Sequence, residues 1–106
     1  MQNRFYGLLG LAMRAGKIRS GEFSAEKSVK EERARLVIVP EDASENTKKK
    51  FRNMTTYREI PFYIYGTKDA LGHAMGREER SSIAVEDDGF AEQMKRILDG
   101  GSVNGR

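Results

Sequence analysis

ARLVIVPED, residues 34–42, is the stretch on which the fold turns. Four apolar residues run without a break from Leu36 to Val39, and Pro40 closes the run. A strand with one solvated face alternates apolar and polar residues, so an unbroken run predicts a strand hidden on both faces, of the parallel type. Proline cannot donate to a ladder, which ends the strand there. A strand hidden on both faces needs helices on both sides of its sheet.

The flanking sequence supplies them. Phe5, Leu8, Leu9 and Ala12 fall at i, i+3, i+4 and i+7, predicting an amphipathic helix over residues 3–15 that stops near Gly16. KIRS, 17–20, is a candidate short strand, and residues 21–32 read as a second helix. A third helix follows in SENTKKKFRNMTT, with Ser44 as N-cap and Thr47, Phe51 and Met54 on one face. IPFYIYG, 60–66, and SSIAVED, 81–87, read as strands. Between them Thr67 starts a helix that turns Leu71, Ala74 and Met75 inward, and Phe90, Met94, Ile97 and Leu98 give a closing helix its stripe. The predicted fold is α/β: a three-layer α/β/α sandwich around a small mixed four-stranded sheet. A single domain is expected over residues 1–99, with a disordered tail at 100–106.

Bulk properties narrow the function. At 106 residues the chain suits one modest core. Nineteen Lys and Arg against sixteen Asp and Glu leave a net charge of +3, compatible with a nucleic-acid partner. Cysteine is absent, which removes disulfides, thiolate metal sites and a Cys nucleophile. No apolar run has the length of a membrane span, and the first residues make a poor signal peptide because Arg14 breaks a short apolar stretch. The expectation is a cytoplasmic monomer without a membrane partner.

Catalytic constellations are missing. His73 stands alone, so no multi-histidine metal site can form. Asp87 and Asp88 precede a helix and read as its cap. Glu41 and Asp42 follow a strand, where α/β enzymes place carboxylates, but capping of the helix at ASENTKKK explains them. No phosphate-binding glycine loop or nucleophile elbow occurs. Neither an enzyme, a metal nor a cofactor is expected.

Positive side chains say more. Lys48, Lys49, Lys50, Arg52 and Arg58 follow one another without an intervening acid. Three successive lysines at ~100° per residue sweep the outer face of a helix, as a solvated surface or as an auxiliary phosphate contact. SGEFSAEKSVK, 20–30, is a second such place. Ala25 and Val29 are its inward positions, which leaves Phe23, Lys27 and Lys30 on the opposite face. One reading is an aromatic and two lysines at the positive end of a helix, suited to phosphate and to an unpaired base. The other has the helix starting later, with Phe23 tucked beneath it as a staple. GREERSS, 76–82, mixes Arg77 and Arg80 with hydroxyl residues and could lie beside this helix start.

LLGLAMRAGKIRSGE, LVIVPEDASENTKKK, IPFYIYGTKDALGHAMG and RSSIAV, taken in order over about residues 4–98, resemble the kink-turn-binding ribosomal-protein superfamily (large-subunit proteins seven-Ae and thirty-e), and within it the small bacterial YlxQ type. The resemblance implies the same sandwich and binding of sharply bent RNA containing sheared G·A pairs. It implies that the start of the second helix, Gly21 to Lys30, enters the RNA groove and that Gly76 to Ser82 covers a flipped-out nucleotide. Gly21 matches the family's glycine and Lys27 its phosphate-contacting lysine. Phe23 and Ser24 replace the Asn-Glu pair that reads the G·A edges, while Glu22, one position earlier, offers a carboxylate if the helix start is shifted. Glu78, Arg80, Ser81 and Ser82 occupy the nucleotide-covering loop with Arg77. The expected function is non-enzymatic binding of kink-turn RNA; the alternative is a protein-interaction module of the translation or transcription machinery with weakened RNA recognition.

Overall fold

A computed structural model describes residues 4–100 of the chain. Its elements are α1 (Arg4–Arg14), β1 (Ile18–Ser20), α2 (Glu22–Lys30), β2 (Leu36–Val39), α3 (Glu45–Arg58), β3 (Phe62–Ile64), α4 (Lys68–Ala74), β4 (Ile83–Val85) and α5 (Asp88–Leu98). The strands form one sheet in the order β1-β4-β2-β3. Residue 3 of the predicted first helix and the predicted tail from residue 101 onward lie outside the described residues.

β2 is buried throughout, as its composition demands, but it is parallel to only one neighbour. Val37 is in register with Phe62 of parallel β3 on one side and with Ala84 of antiparallel β4 on the other. β4 is also antiparallel to β1, with Ser20 opposite Ile83. The sheet is therefore mixed. The parallel reading holds for the β3 side alone; what the apolar run reports is burial of both faces, which an antiparallel neighbour permits as well.

Alternation along the strands divides the interior in two. Leu36, Ile38, Ile83 and Val85 meet Phe5, Leu9, Leu71 and Met94 from α1, α4 and α5. Val37, Val39 and Ala84 turn the other way and meet Ala25, Val29 and Phe51 from α2 and α3. This is the predicted three-layer sandwich. Each core leans on a fully buried phenylalanine, Phe5 or Phe51, whose truncation to alanine costs about 3–5 kcal/mol.

Helix ends follow local chemistry with two corrections. Ser44, Thr67 and Asp87 cap α3, α4 and α5, accepting from the N–H groups of Thr47, Ala70 and Phe90. Asp42, however, accepts from the Lys68 N–H at 3.0 Å and so supports the start of α4, not of α3. α2 also ends at Lys30 instead of residue 32, because the chain turns through Glu32 at φ 63° to enter β2.

Candidate nucleic-acid interface

At one edge of the sheet β1, β2 and β3 end, β4 begins, and α2, α3 and α4 start. The transition from β1 to α2 takes a single residue. Gly21 adopts φ 100° and ψ 148°, a backbone region essentially restricted to glycine, and its N–H donates to the Ser82 carbonyl at 2.8 Å. This hydrogen bond fixes the end of the 76–82 loop beside the start of α2, the juxtaposition anticipated from sequence.

α2 differs from the helices around it. Where α3, α4 and α5 have a side-chain cap, Gly21 has no side chain to give, and no side-chain hydrogen bond caps α2. The carbonyl of Gly21 already holds the Ala25 N–H, but the N–H groups before it in the first turn have no side-chain acceptor among the described residues. They add a partial positive charge at the helix end.

The Phe23 ring stands 80% exposed in that first turn, which excludes the staple: the helix starts at Glu22 and Phe23 is not tucked beneath it. Phe23, Lys27 and Lys30 line a shallow, mainly apolar depression with Glu26 and Glu31. Lys30 pairs with Glu26 at 3.0 Å. Lys27 is exposed and makes no ion pair among the described residues. Ser24 is half-buried beside them, over buried Ala25, Ser28 and Val29.

Two side chains have different roles from those expected. Glu22 is engaged: its carboxylate pairs with Lys50 of α3 at 2.6 Å and accepts from the Thr47 hydroxyl at 3.3 Å. Lys50 also pairs with Glu26 at 3.0 Å. Lys50 is thus a clasp between α2 and α3 and does not belong to α3's outer face. Hydrogen bonds to Glu22 and then Glu26 hold its ammonium above the usual lysine range, while those from Lys30 and then Lys50 hold the Glu26 carboxyl low.

The 76–82 loop is braced from behind. Arg77 N–H donates to the Gly72 carbonyl at 2.8 Å and Arg80 N–H to the Lys68 carbonyl at 3.1 Å. A methyl group on Gly72 would press against the backbone of Glu78 and lie 2.7 Å from Glu79 Cα, so glycine at this buried helical position is what lets the loop lie down. Gly76, Arg77 and Glu78 are exposed and Ser81 half-buried. Ser82 is fully buried and its side chain does not reach the surface. Its contribution to this edge is the carbonyl held by Gly21. Ser82 Oγ and Arg80 Nε are buried without a hydrogen-bond partner among the described residues.

Gly72 is the residue that sequence reading passed over, while Thr47 and Lys50 were placed on α3 without their contacts to α2. A glycine inside a helical pattern, as in LGHAMG, is a signal of close packing and could have identified Gly72. His73 is exposed, and no group of three or more metal-ligating side chains occurs among the described residues. Nor is any of their helices long and apolar enough to cross a membrane.

Residues 3–95 match the model of the "Ribosomal protein L7Ae/L30e/S12e/Gadd45 family". The RNA-binding protein YlxQ of Bacillus subtilis (strain 168) is 41% identical over 95 residues, covering 90% of this chain and 95% of that protein. Its namesake in Enterococcus faecium is 38% identical over 93 residues, covering 88% and 89%. Among solved structures, a Bacillus halodurans protein of unknown function superposes with a TM-score of 0.91 at 35% identity, over 93% of this chain and all of the other. A Giardia lamblia 15.5kD RNA binding protein reaches 0.76 over 93% and 88% of the two chains; at 20% identity that likeness concerns the fold alone. With nearly the whole length matched at the level of family, sequence relatives and fold, the chain belongs to the ribosomal protein L7Ae/L30e/S12e/Gadd45 family, as a member of the YlxQ type.

Proposed function

We propose that the chain is a non-enzymatic RNA-binding protein, a cytoplasmic monomer that recognises kink-turn or similarly bent RNA through the start of α2 and the loop before β4. One observation carries the reading. The uncapped start of α2, with exposed Phe23 and unpaired Lys27, is hydrogen-bonded through Gly21 to the end of the 76–82 loop, so two elements face one ligand. The name of the bacterial relatives, RNA-binding protein, supports it.

The division of labour follows from chemistry. Lys27 and the first-turn N–H groups suit phosphate oxygens and supply affinity that falls with salt. Phe23 has a free, solvent-facing ring and suits an unstacked base, worth about 1–3 kcal/mol. Because Glu22 is held by Lys50, reading of G·A edges by its carboxylate requires that pair to open. Recognition then rests on shape, backbone and one stacked base, which is how irregular RNA is commonly read. Exposed Arg77 adds a cation on the loop side, where Glu78 and Glu79 follow it.

The test compares a kink-turn duplex with its counterpart in which the G·A pairs are converted to Watson–Crick pairs. The bent RNA should bind much more tightly. Equal affinity for both would remove kink-turn recognition and leave a nonspecific binder; no binding to either, with a protein retained in a pulldown, would favour the protein-interaction alternative.

A further inference from the structure

We propose that the outer face of α3 is a second RNA contact, which takes the phosphate backbone of a duplex arm leaving the bend; it rests on the α2 site described above. Lys49, Arg52, Asn53, Thr56 and Tyr57 fall at i, i+3, i+4, i+7 and i+8 of α3, and all are exposed. No acid interrupts the helix between Asn46 and Arg58. The nearest acid in the first turn, Glu45, is taken by Lys48 at 3.3 Å. Lys49 and Arg52 have no ion pair among the described residues, although most cations around them do.

Position and ring geometry identify the ligand. α3 is clasped to α2 by Lys50, which reaches both Glu22 in the first turn of α2 and Glu26 one turn on. The stripe therefore runs beside the helix that carries Phe23 and Lys27, and from Lys49 to Tyr57 it rises about 12 Å along the helix axis. Its aromatic residue is prepared differently from Phe23. Tyr57 is 83% exposed, but the Arg58 guanidinium lies 5.4 Å from its ring centroid and covers one face. Arg58 is in turn tied to the Met54 carbonyl at 3.2 Å. What Tyr57 offers is its hydroxyl and an attached cation, which suits phosphate and ribose oxygens better than a base. The Arg52 guanidinium lies 5.5 Å from the centroid of the Phe62 ring, steadied by that contact. Two unpaired cations, an amide and two hydroxyls on one acid-free stripe complement a polyanion; an unoccupied protein-docking face would call for a larger apolar centre.

The experiment measures affinity over a salt series for two kink-turn RNAs, one with the arm cut just beyond the bend and one with it extended by a helical turn. Wild type should bind the extended RNA more tightly and with a steeper salt dependence. The double variant Lys49→Glu, Arg52→Glu should lose about tenfold on the extended RNA, with a salt slope shallower by about two, and bind the short RNA as before. The single variant Lys49→Glu, which leaves the Phe62 contact in place, should show about half of that slope change. Wild-type affinity on the extended RNA for either variant, or equal losses on both RNAs, overturns the proposal and leaves the α2 site standing. So does loss of a co-purifying protein with RNA affinity unchanged. Failure of wild type to bind either RNA removes both readings.

Discussion

Gly21→Ala isolates the backbone geometry at the start of α2. An added Cβ at this position has nothing within 4 Å, so no collision is involved. What changes is the cost of φ 100° and ψ 148°, a conformation that L residues rarely adopt. Strain of that kind costs about 1–3 kcal/mol. For a domain of this size each kcal/mol lowers Tm by roughly 4–8 °C, so a fall of about 10 °C is expected. The internal control is Gly7→Ala on the exposed side of α1, where an added Cβ also meets nothing. There the backbone is helical, and replacing glycine by alanine should stabilise by about 0.5–1 kcal/mol. Two chemically identical substitutions into open space should thus move Tm in opposite directions, read by thermal denaturation followed by circular dichroism. Hydrogen exchange adds a second measurement, since relaxation of φ at residue 21 should weaken the bond to the Ser82 carbonyl and speed exchange of that amide. If Gly21→Ala melts with or above wild type and its amide stays protected, the chain is not held in the glycine-only conformation and the account of this edge is wrong.

Other substitutions test the remaining parts. Gly72→Ala should cost about 1–3 kcal/mol by overpacking, and because the 76–80 loop is what must move, RNA affinity should fall beyond what the loss of stability explains. Phe23→Ala should weaken binding to bent RNA by about 1–3 kcal/mol in a titration while leaving Tm within about 2 °C, since the ring is exposed; Phe23→Leu should recover only a small part of that loss. Lys27→Ala should weaken all RNAs and reduce the salt slope by about one, with no change in preference among them. Burial alone would raise the Glu86 carboxyl, but hydrogen bonds from Ser28 and Arg33, with Arg19 nearby, outweigh it and hold the carboxyl low. A lowered folded value contributes stability above the unfolded pKa of about 4.3, and that contribution disappears as pH falls through the lower folded value. Glu86→Gln should therefore be less stable than wild type at neutral pH, with the gap closing in melts below pH of about 4.

The fold was largely legible because its signals are local and redundant. Leu36–Val39 declared burial on two sides, and the stripes of α1 and α5 declared their inward faces. Ser44, Thr67 and Asp87 announced three helix starts by their own chemistry. What stayed hidden depends on pieces distant in sequence. Asp42 caps a helix 26 residues away, not the adjacent one. Lys50 lies on a continuous basic run and looks solvated on a helical wheel, which cannot show that Glu22 and Glu26 of another helix face it. The end of α2 was misplaced because Glu32 carries a positive φ where no glycine marks the turn. At the candidate site, periodicity offered an outward Phe23 beside Lys27 but left the buried staple open, and the burial of Ser82, just before β4, has no periodic signal.

The strand order has a consequence for when the binding edge can exist during synthesis. β1 and β2 do not pair with each other; both wait for β4, the last strand made, to enter between them. Until residues 82–85 have been added, the chain has neither the centre of its sheet nor the carbonyl that holds Gly21. Sheet closure is thus non-local and late, after most of the chain is available to fold. A nascent or C-terminally truncated chain would retain α2 and its lysines without the partner that aims them. Formation of the candidate edge is therefore coupled to synthesis of β4, and a fragment ending before residue 82 lacks the contact that joins α2 to the 76–82 loop.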